Sequence, residues 1–206
     1  MSAFRWNDRF AEAEFAYGRE PNDFLRESAG AIPPGPVLCL AEGQGRNAVY
    51  LAGLGHEVEA VDLSDVGLAR ARELAAERGV AIRTTVADLM DFDMGRGAWS
   101  GIVSIFCHLP EPVRQAVHGR IAAALSPGGV LILEAYTPRQ IAFGTGGPRE
   151  PELLCHLDPL LRHLPGLAWK TAREVDREVH EGRYHHGLSA VVQLLGYRSA
   201  GAFGGE

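Results

Sequence analysis

Apolar strand-like segments alternate with helical segments along residues 37–134, and this alternation restricts the fold more than any other feature. Consecutive strands separated by helices form parallel β-α-β units, with helices on both faces of one sheet. The strand-like segments are near-continuous apolar runs, as expected when both faces of a strand are covered. The predicted strands span residues 37–41, 57–61, 81–87, 101–106 and 130–134. The predicted helices between them span residues 46–54, 65–78 and 110–125.

The last third of the chain departs from this alternation. Residues 151–164 are predicted to be helical, and residues 167–180 and 188–197 are predicted to be strands. Only residues 181–187 join these two strands, which is too short for a crossover helix, so we expect them to be antiparallel neighbours. The 206 residues suit one domain. The predicted fold is therefore α/β, with a mostly parallel sheet and an appended antiparallel hairpin.

Composition excludes several classes of partner. The 20 basic residues are scattered among 26 acidic ones, so the chain is a poor electrostatic match for nucleic acid. No apolar run approaches the roughly 20 residues that span a bilayer, and the N-terminus has no signal-peptide pattern. Cys39, Cys107 and Cys155 are too few for a disulfide framework and are interpreted as reduced, buried thiols. We expect a cytoplasmic protein, either a monomer or a homodimer, without nucleic-acid or membrane partners.

Special residues follow the first three predicted strands. Gly43 and Gly45 follow the first strand, Asp62 ends the second and Asp88 ends the third. Ligands of open α/β sheets bind at the carboxyl ends of the strands, where glycine allows close backbone approach and a carboxylate can hold a ribose diol. Each residue alone is also compatible with an ordinary turn or a helix N-cap. Together they indicate an adenosine-containing cofactor.

Two cofactors fit this pattern. Residues 43–48, Gly-Gln-Gly-Arg-Asn-Ala, match the dinucleotide fingerprint with alanine in the last position, which would make the chain an NAD(P)-binding oxidoreductase. The predicted final hairpin argues against that alternative, because the dinucleotide fold normally ends in parallel strands. A P-loop is excluded because no Gly-x-x-x-x-Gly-Lys-Ser/Thr occurs.

The remaining alternative rests on a family resemblance. Residues 37–48, 60–64 and 87–89 resemble the first three motifs of the seven-stranded S-adenosylmethionine-dependent methyltransferases. The Gly-Arg-Asn-Ala sequence at 45–48, with residues 17–25 upstream, is similar to the tellurite-resistance and thiopurine S-methyltransferase branch. The resemblance extends from Trp6 to Tyr197. It implies a Rossmann-like, doubly wound sheet of order 3-2-1-4-5-7-6 with strand 7 antiparallel, in a single domain over residues 1–206 whose residues 1–30 form a helical lid.

The resemblance also implies a role for each matching position. Gly43 and Gly45 would face the methionyl part of the cofactor, and Asp62 would hold the ribose hydroxyls. Leu63 would pack on the adenine, while Asp88 would bind the adenine amine and the Leu89 backbone its ring nitrogen. Residues 105–108 would line the methyl-transfer site, and Trp6 and Tyr17 would close the lid. The implied cofactor-binding residues are Tyr17, Ala41, Glu42, Gly43, Gly45, Asp62, Leu63, Asp88, Leu89 and Ile105.

The first motif departs from the family pattern. Cys39 stands where the strand usually has an acidic residue, and Ala41 replaces the first glycine, a mild change if its φ is negative. Glu42 occupies a position often held by a small residue and is a possible carboxylate partner for the methionyl ammonium. Ser100 and Gly101 stand where an aspartate is often found. These departures leave open a protein that binds S-adenosylmethionine without catalysis.

Methyl transfer is an in-line displacement in which the protein mainly supplies alignment and sometimes a base. His108 is the candidate base; a histidine that simply donates to a backbone carbonyl is the equal alternative. Arg46 is a candidate contact for an anionic substrate or for the cofactor carboxylate. The expected acceptor is a small molecule with a thiol or another soft chalcogen nucleophile, because such anions need little base. S-Adenosylhomocysteine would be the second product.

No metal site is predicted. His185 and His186 are adjacent in the expected hairpin turn and should diverge, and the pair Cys155–His156 is expected to lie in a remote helix. Residues 143–148, Phe-Gly-Thr-Gly-Gly-Pro, are expected to form a flexible loop after the fifth strand, either contacting substrate or serving as a solvent-exposed connector.

Overall fold

The computed structural model describes residues 3–12 and 14–199, with side chains from Trp6 onward. Seven strands form one sheet in the order β3-β2-β1-β4-β5-β7-β6, which confirms the predicted α/β fold class and strand order. The strands are β1 (Pro36–Leu40), β2 (Glu57–Asp62), β3 (Arg83–Val86), β4 (Trp99–Ile105), β5 (Leu125–Tyr136), β6 (Leu167–Glu181) and β7 (His185–Arg198). The helices are α1 (Ala3–Phe10), α2 (Asp23–Ser28), α3 (Arg46–Gly53), α4 (Asp65–Glu77), α5 (Glu111–Ala124), α6 (Gln140–Phe143) and α7 (Leu157–His163).

Strand direction reverses twice along the sheet, so β7 alone runs opposite to the other six strands. The pairs from β3 across to β5 are all parallel. β7 is antiparallel to β5, with Leu133 opposite Leu194, and β6 is antiparallel to β7. The carboxyl ends of β1, β2, β4 and β5 therefore meet at one edge, together with the beginning of β7.

The central strands are buried on both faces. In β1, Leu38 and Leu40 belong to the hydrophobic cluster that includes α5 and α7, whereas Val37 and Cys39 belong to the cluster that includes α2 and α3. This alternation follows the two-residue period of a strand. It explains why the sequence shows a continuous apolar run here, with no polar face.

Local side-chain caps fix two helix starts that position the site. The Asn22 side chain accepts a hydrogen bond from the Leu25 backbone N–H, and the Ser64 hydroxyl accepts one from the Gly67 N–H. Such caps satisfy backbone donors that have no partner inside the helix. The start at Ser64 agrees with the helix predicted over residues 65–78.

Three predicted elements differ from the structure. β3 is shorter than residues 81–87, and β5 begins five residues before 130, with an irregularity where Trp99 and Gly101 pair with Leu125 and Val130. The helix predicted over residues 151–164 is interrupted in the middle of that range. There the Cys155 N–H donates to the Tyr136 carbonyl at 2.9 Å and holds the chain extended before α7, so the pair Cys155–His156 is not helical.

Candidate functional site

The ends of β1 and β2 meet through Asp62. Its carboxylate accepts hydrogen bonds from the Gly43 N–H and the Ser64 N–H, each at 2.8 Å. Asp62 is 7% exposed, and burial raises the pKa of its carboxyl group. Gly43 has φ +61°, and a Cβ at this position would lie 2.9 Å from the Phe10 ring. Both the backbone conformation and the close packing therefore require glycine here.

Glu42 places a second buried carboxylate beside Asp62. One of its oxygens accepts from the Asn47 and Ala48 N–H groups of the first turn of α3, both at 2.9 Å. Burial raises the pKa of Glu42 to about 7, and the negative charge of Asp62 acts in the same direction. Two buried carboxylates at one strand edge favour a cationic ligand.

The glycine loop contains one unexpected backbone conformation. Ala41 has φ +51°, so the condition under which alanine would be a mild replacement for glycine is not met. Gly45 has φ +89° and packs so closely on α4 that a Cβ would lie 2.5 Å from the Ala71 Cβ. The loop therefore needs a left-handed conformation at Ala41, at Gly43 and at Gly45, and alanine adopts it at a cost.

The other predicted cofactor residues lie along the same edge. Asp88 is exposed just beyond β3, and its carboxylate accepts from the Met90 N–H at 2.9 Å. Leu89 and Ile105 are buried, and Leu63 is half-buried after β2. The structure brings Asp62 into contact with Gly43, and it places Asp88 at the end of the next strand.

The N-terminal segment packs on the glycine loop. Trp6 stacks on Phe10 with ring centroids 5.6 Å apart, and the Phe10 ring packs on Gly43 and Gly67. The Ala16 N–H donates to the Gln44 side chain at 2.8 Å, joining the segment to the loop. Sequence reasoning missed Phe10 and Gln44. An aromatic residue in an amphipathic N-terminal helix was the available signal for Phe10.

Tyr17 links the N-terminal segment to the final hairpin. Its ring centroid lies 4.5 Å from that of His185 and 6.4 Å from that of Phe10. Because His185 begins β7, the N-terminal segment contacts both the glycine loop and the hairpin.

Arg46 belongs to a buried ion-pair network. Its Nη2 donates to Glu181 at 2.7 Å, while its buried Nη1 has no hydrogen-bond partner among the described residues. Burial alone would raise the pKa of Glu181, but Arg46 and His185 outweigh burial and hold the pKa at about 2. Burial lowers the pKa of His185, so its ring is neutral and its Nδ1–H donates to Glu181 at 3.4 Å.

Asn22 joins this network to a second buried carboxylate. Its amide donates to Glu181 at 2.8 Å and to Glu134 at 2.7 Å. Glu134 is fully buried in β5 and also accepts from Arg177 and from Gln193, each at 2.6 Å. Sequence reasoning missed all of these partners. A glutamate inside the apolar run of β5 was the one signal that pointed to them.

His108 lies just beyond β4, and the structure resolves its hydrogen bonding. Its Nδ1 is 3.1 Å from the Leu153 carbonyl oxygen, which can only accept, so Nδ1 carries the proton. Nε2 is buried and has no hydrogen-bond partner among the described residues. Burial lowers the pKa of His108 to about 4, so the ring is neutral near pH 7. His108 therefore donates to a carbonyl and also keeps an unpaired basic nitrogen.

The adjacent histidines are not in the turn, contrary to the sequence prediction. β7 begins at His185, and the turn spans only residues 182–184. His185 is buried and His186 is exposed, so the two side chains diverge. Within residues 3–12 and 14–199, no group of three His, Cys, Asp or Glu side chains is placed to hold a metal ion.

The three cysteines are buried and free, as predicted. Burial raises the pKa of Cys107 to about 12 and that of Cys155 to about 11, so both are neutral thiols. In the described part of the chain, no helix has both the length and the apolar character needed to cross a membrane.

Parts of this chain are similar in sequence to known methyltransferases. A family model for a methyltransferase domain matches residues 37–129. The 2-heptyl-1-hydroxyquinolin-4(1H)-one methyltransferase of Mycobacteroides abscessus is 30% identical over 149 residues, 69% of this chain and 66% of that protein. The chain thus spans slightly less than two thirds of the length of this relative.

Two solved structures share the fold. One, described under the conversion of a disulfide bond into a thioacetal group during echinomycin biosynthesis, has a TM-score of 0.73 and 22% identity, covering 96% of this chain and 89% of its own. TehB from Haemophilus influenzae has a TM-score of 0.68 and 19% identity, covering 86% of this chain and 62% of its own.

These matches and the antiparallel final hairpin do not favour the NAD(P) alternative. Residues 37–129 match the model of a methyltransferase domain, and the chain has the Rossmann-like fold of solved S-adenosylmethionine-dependent methyltransferases.

Proposed function

We propose that this chain transfers the methyl group of S-adenosylmethionine to a small-molecule acceptor and releases S-adenosylhomocysteine. The observation that carries the proposal is the contact between Asp62 and the Gly43 loop at the ends of β1 and β2. A carboxylate offers about four lone-pair sites, and the backbone N–H groups of Gly43, Ser64 and Leu63 act on that of Asp62, so it can still accept from a ribose hydroxyl. We take residues 1–206 as one methyltransferase domain with its lid in residues 1–30.

The charges of the site fit this cofactor. The bound cofactor supplies an electrophilic methyl group on a sulfonium, together with an ammonium and a carboxylate. Glu42 and Asp62 provide negative charge for the cationic groups, and the unpaired Nη1 of Arg46 is a donor for the carboxylate. Asp88 and the Leu89 backbone would bind the adenine, with Leu63 packing on its ring and Ile105 lining the site beyond β4.

We also propose that the chain belongs to the tellurite-resistance and thiopurine S-methyltransferase branch. Its acceptor would then be a thiol or another soft chalcogen. The neutral His108 beyond β4 supports such an acceptor, because a soft anion requires alignment more than deprotonation. We propose a cytoplasmic monomer or homodimer without a resident metal.

Thermal unfolding with added ligand tests the cofactor assignment. S-Adenosylhomocysteine should raise the melting temperature of the wild type, and Asp62→Ala should abolish the shift. Asp91→Ala, which removes an exposed aspartate in the turn after β3, is the control and should keep the shift. A shift with NADH in place of S-adenosylhomocysteine would contradict the proposal.

A further inference from the structure

The guanidinium group of Arg46 has one nitrogen that is held and another that has no partner. Arg46 is buried and is the first residue of α3, directly after the glycine loop. Its Nη2 donates to Glu181 at 2.7 Å, whereas its buried Nη1 has no hydrogen-bond partner among the described residues. A buried N–H group without a partner costs free energy, which a bound acceptor recovers. Nη1 is therefore suited to receive an anionic group of a ligand.

The two carboxylates nearest to Arg46 differ in charge state. Burial raises the pKa of Glu42 to about 7, although the positive charge of Arg46 lowers it. Burial would also raise the pKa of Glu181, but Arg46 and His185 outweigh burial and hold it at about 2. Glu181 is therefore the permanent counterion of Arg46. The final hairpin, and not the glycine loop that precedes Arg46, determines how the guanidinium is oriented.

Glu181 is itself held in place at the carboxyl end of β6. Its carboxylate accepts from the Asn22 amide at 2.8 Å and from His185 Nδ1–H at 3.4 Å, and Arg177 Nη2 lies 3.7 Å away. These partners come from the N-cap of α2 and from both strands of the hairpin. A group that is already held in its binding orientation loses less conformational entropy when a ligand binds.

We propose that Glu181 is a positioning residue for the cofactor, because it holds Arg46 with Nη1 directed at the carboxylate of S-adenosylmethionine. This inference rests on the proposed function and adds a residue 135 positions away from Arg46. Glu181 acts through Arg46 and takes no part in the bond changes of methyl transfer. The carboxylate is the same in the ground state and the transition state, so the effect falls on KM and leaves kcat unchanged.

Two ligands that differ only in the carboxylate test this proposal by calorimetric titration of the full chain. They are S-adenosylhomocysteine and its decarboxylated form, which keeps the adenosyl group, the sulfur and the ammonium. The wild type should bind S-adenosylhomocysteine about tenfold or more tightly than the decarboxylated form, because only the former accepts a charge-assisted hydrogen bond from Nη1. Equal dissociation constants would overturn the proposal, since no carboxylate contact would exist for Glu181 to position.

Glu181→Asp separates position from charge. The variant keeps a negative charge beside Arg46 but withdraws the carboxylate by one methylene group. Its affinity for S-adenosylhomocysteine should fall about tenfold, and its affinity for the decarboxylated form should stay unchanged. Glu178→Asp makes the same change at an exposed position of β6 and should leave both affinities unchanged. Equal losses with both ligands, or no loss with either, in a folded Glu181→Asp variant would overturn the proposal.

Arg46→Lys provides a second variant, in case Glu181→Asp shows no cooperative unfolding in urea. Lysine keeps the charge but lacks the planar fork that serves two carboxylates at once. The preference for S-adenosylhomocysteine over the decarboxylated form should disappear in Arg46→Lys, and an unchanged preference would overturn the proposal. If the wild type binds both ligands equally, the positioning role is wrong and the cofactor assignment stands. If the wild type binds neither ligand, the proposed function itself fails.

Discussion

The Asp62 carboxylate accepts a hydrogen bond from the Gly43 N–H at 2.8 Å, and this contact links the ends of two neighbouring parallel strands. The two residues are 19 positions apart in the sequence. Their contact sets the conformation of the glycine loop and aims a carboxylate at the edge where the cofactor is proposed to bind.

Ala41→Gly should stabilise the protein. Ala41 has φ +51°, a conformation that costs a non-glycine residue about 1–2 kcal/mol. Glycine loses about 0.5–1 kcal/mol through its greater freedom in the unfolded chain, so the net gain should be about 0.5–1 kcal/mol. Urea unfolding measures the difference. Ala76→Gly, at an exposed position within helix α4, should instead lower the free energy of unfolding.

Glu42→Gln should remove a pH dependence from cofactor binding. The pKa of Glu42 is raised from 4.5 to about 7, so the free protein carries a proton there below pH 7. A cationic ligand favours the carboxylate, so S-adenosylmethionine binding should release that proton and strengthen about tenfold from pH 6 to pH 8. Calorimetric titration at both pH values measures the dissociation constants. Equal dissociation constants for the wild type at the two pH values would refute the role of Glu42.

The ionisation of Glu42 lowers the free energy of unfolding, although it strengthens cofactor binding. Because the folded-state pKa of Glu42 exceeds the unfolded value, its contribution to stability is complete below pH 4.5 and is lost as the pH rises towards 7. The glutamine side chain in Glu42→Gln cannot titrate and can still accept from the Asn47 and Ala48 N–H groups. The difference in unfolding free energy between variant and wild type should therefore move in favour of Glu42→Gln between pH 4.5 and pH 7. Urea unfolding at the two pH values measures this change.

Gly147→Ala should destabilise the protein more than Gly144→Ala. Both glycines have positive φ, +79° and +64°, so the backbone strain of alanine is matched. Only at Gly147 would the Cβ meet the buried Tyr136 ring, at 2.5 Å, whereas nothing lies within 4 Å at Gly144. We expect a larger loss of unfolding free energy in Gly147→Ala, measured by urea unfolding. Similar losses in the two variants would show that the loop contact with Tyr136 does not stabilise the fold.

Glu134→Ala should destabilise the fold by about 1–3 kcal/mol, because it leaves the buried Gln193 amide without its acceptor, although Arg177 keeps its ion pairs with Asp23 and Glu181. Urea unfolding checks this value against Glu77→Ala. Glu77 pairs with Arg19 at the surface, where an ion pair contributes about 0–1 kcal/mol. A loss below about 1 kcal/mol for Glu134→Ala would mean that the buried network does not hold α2 and the hairpin to β5.

The strands of the sheet could be predicted from the sequence because neighbouring residues mark where each strand begins and ends. Each parallel strand is an apolar run followed by a helix signal, and Ser64 and Asn22 cap helices only three residues away. The carboxylates at the strand ends were predictable for the same reason, since position along a strand determines the edge at which Asp62 lies.

The remaining features depend on contacts between distant parts of the chain. Asn22 and Glu134 are 112 residues apart, and no local pattern pairs them. The helix predicted over 151–164 failed because the Cys155 N–H bonds to the distant Tyr136 carbonyl. His185 was assigned to the turn because the alternation of side chains along β7 does not show at which residue the strand begins.

The central claim is that the Asp62–Gly43 edge binds S-adenosylmethionine, and calorimetric titration of S-adenosylhomocysteine tests it most directly. The wild type and Asp91→Ala should each bind one equivalent, and Asp62→Ala should bind at least a hundredfold more weakly. That factor corresponds to about 2.7 kcal/mol, within the range for lost hydrogen bonds to a charged group. Equal affinities of Asp62→Ala and the wild type, or binding of NADH in place of S-adenosylhomocysteine, would contradict the account.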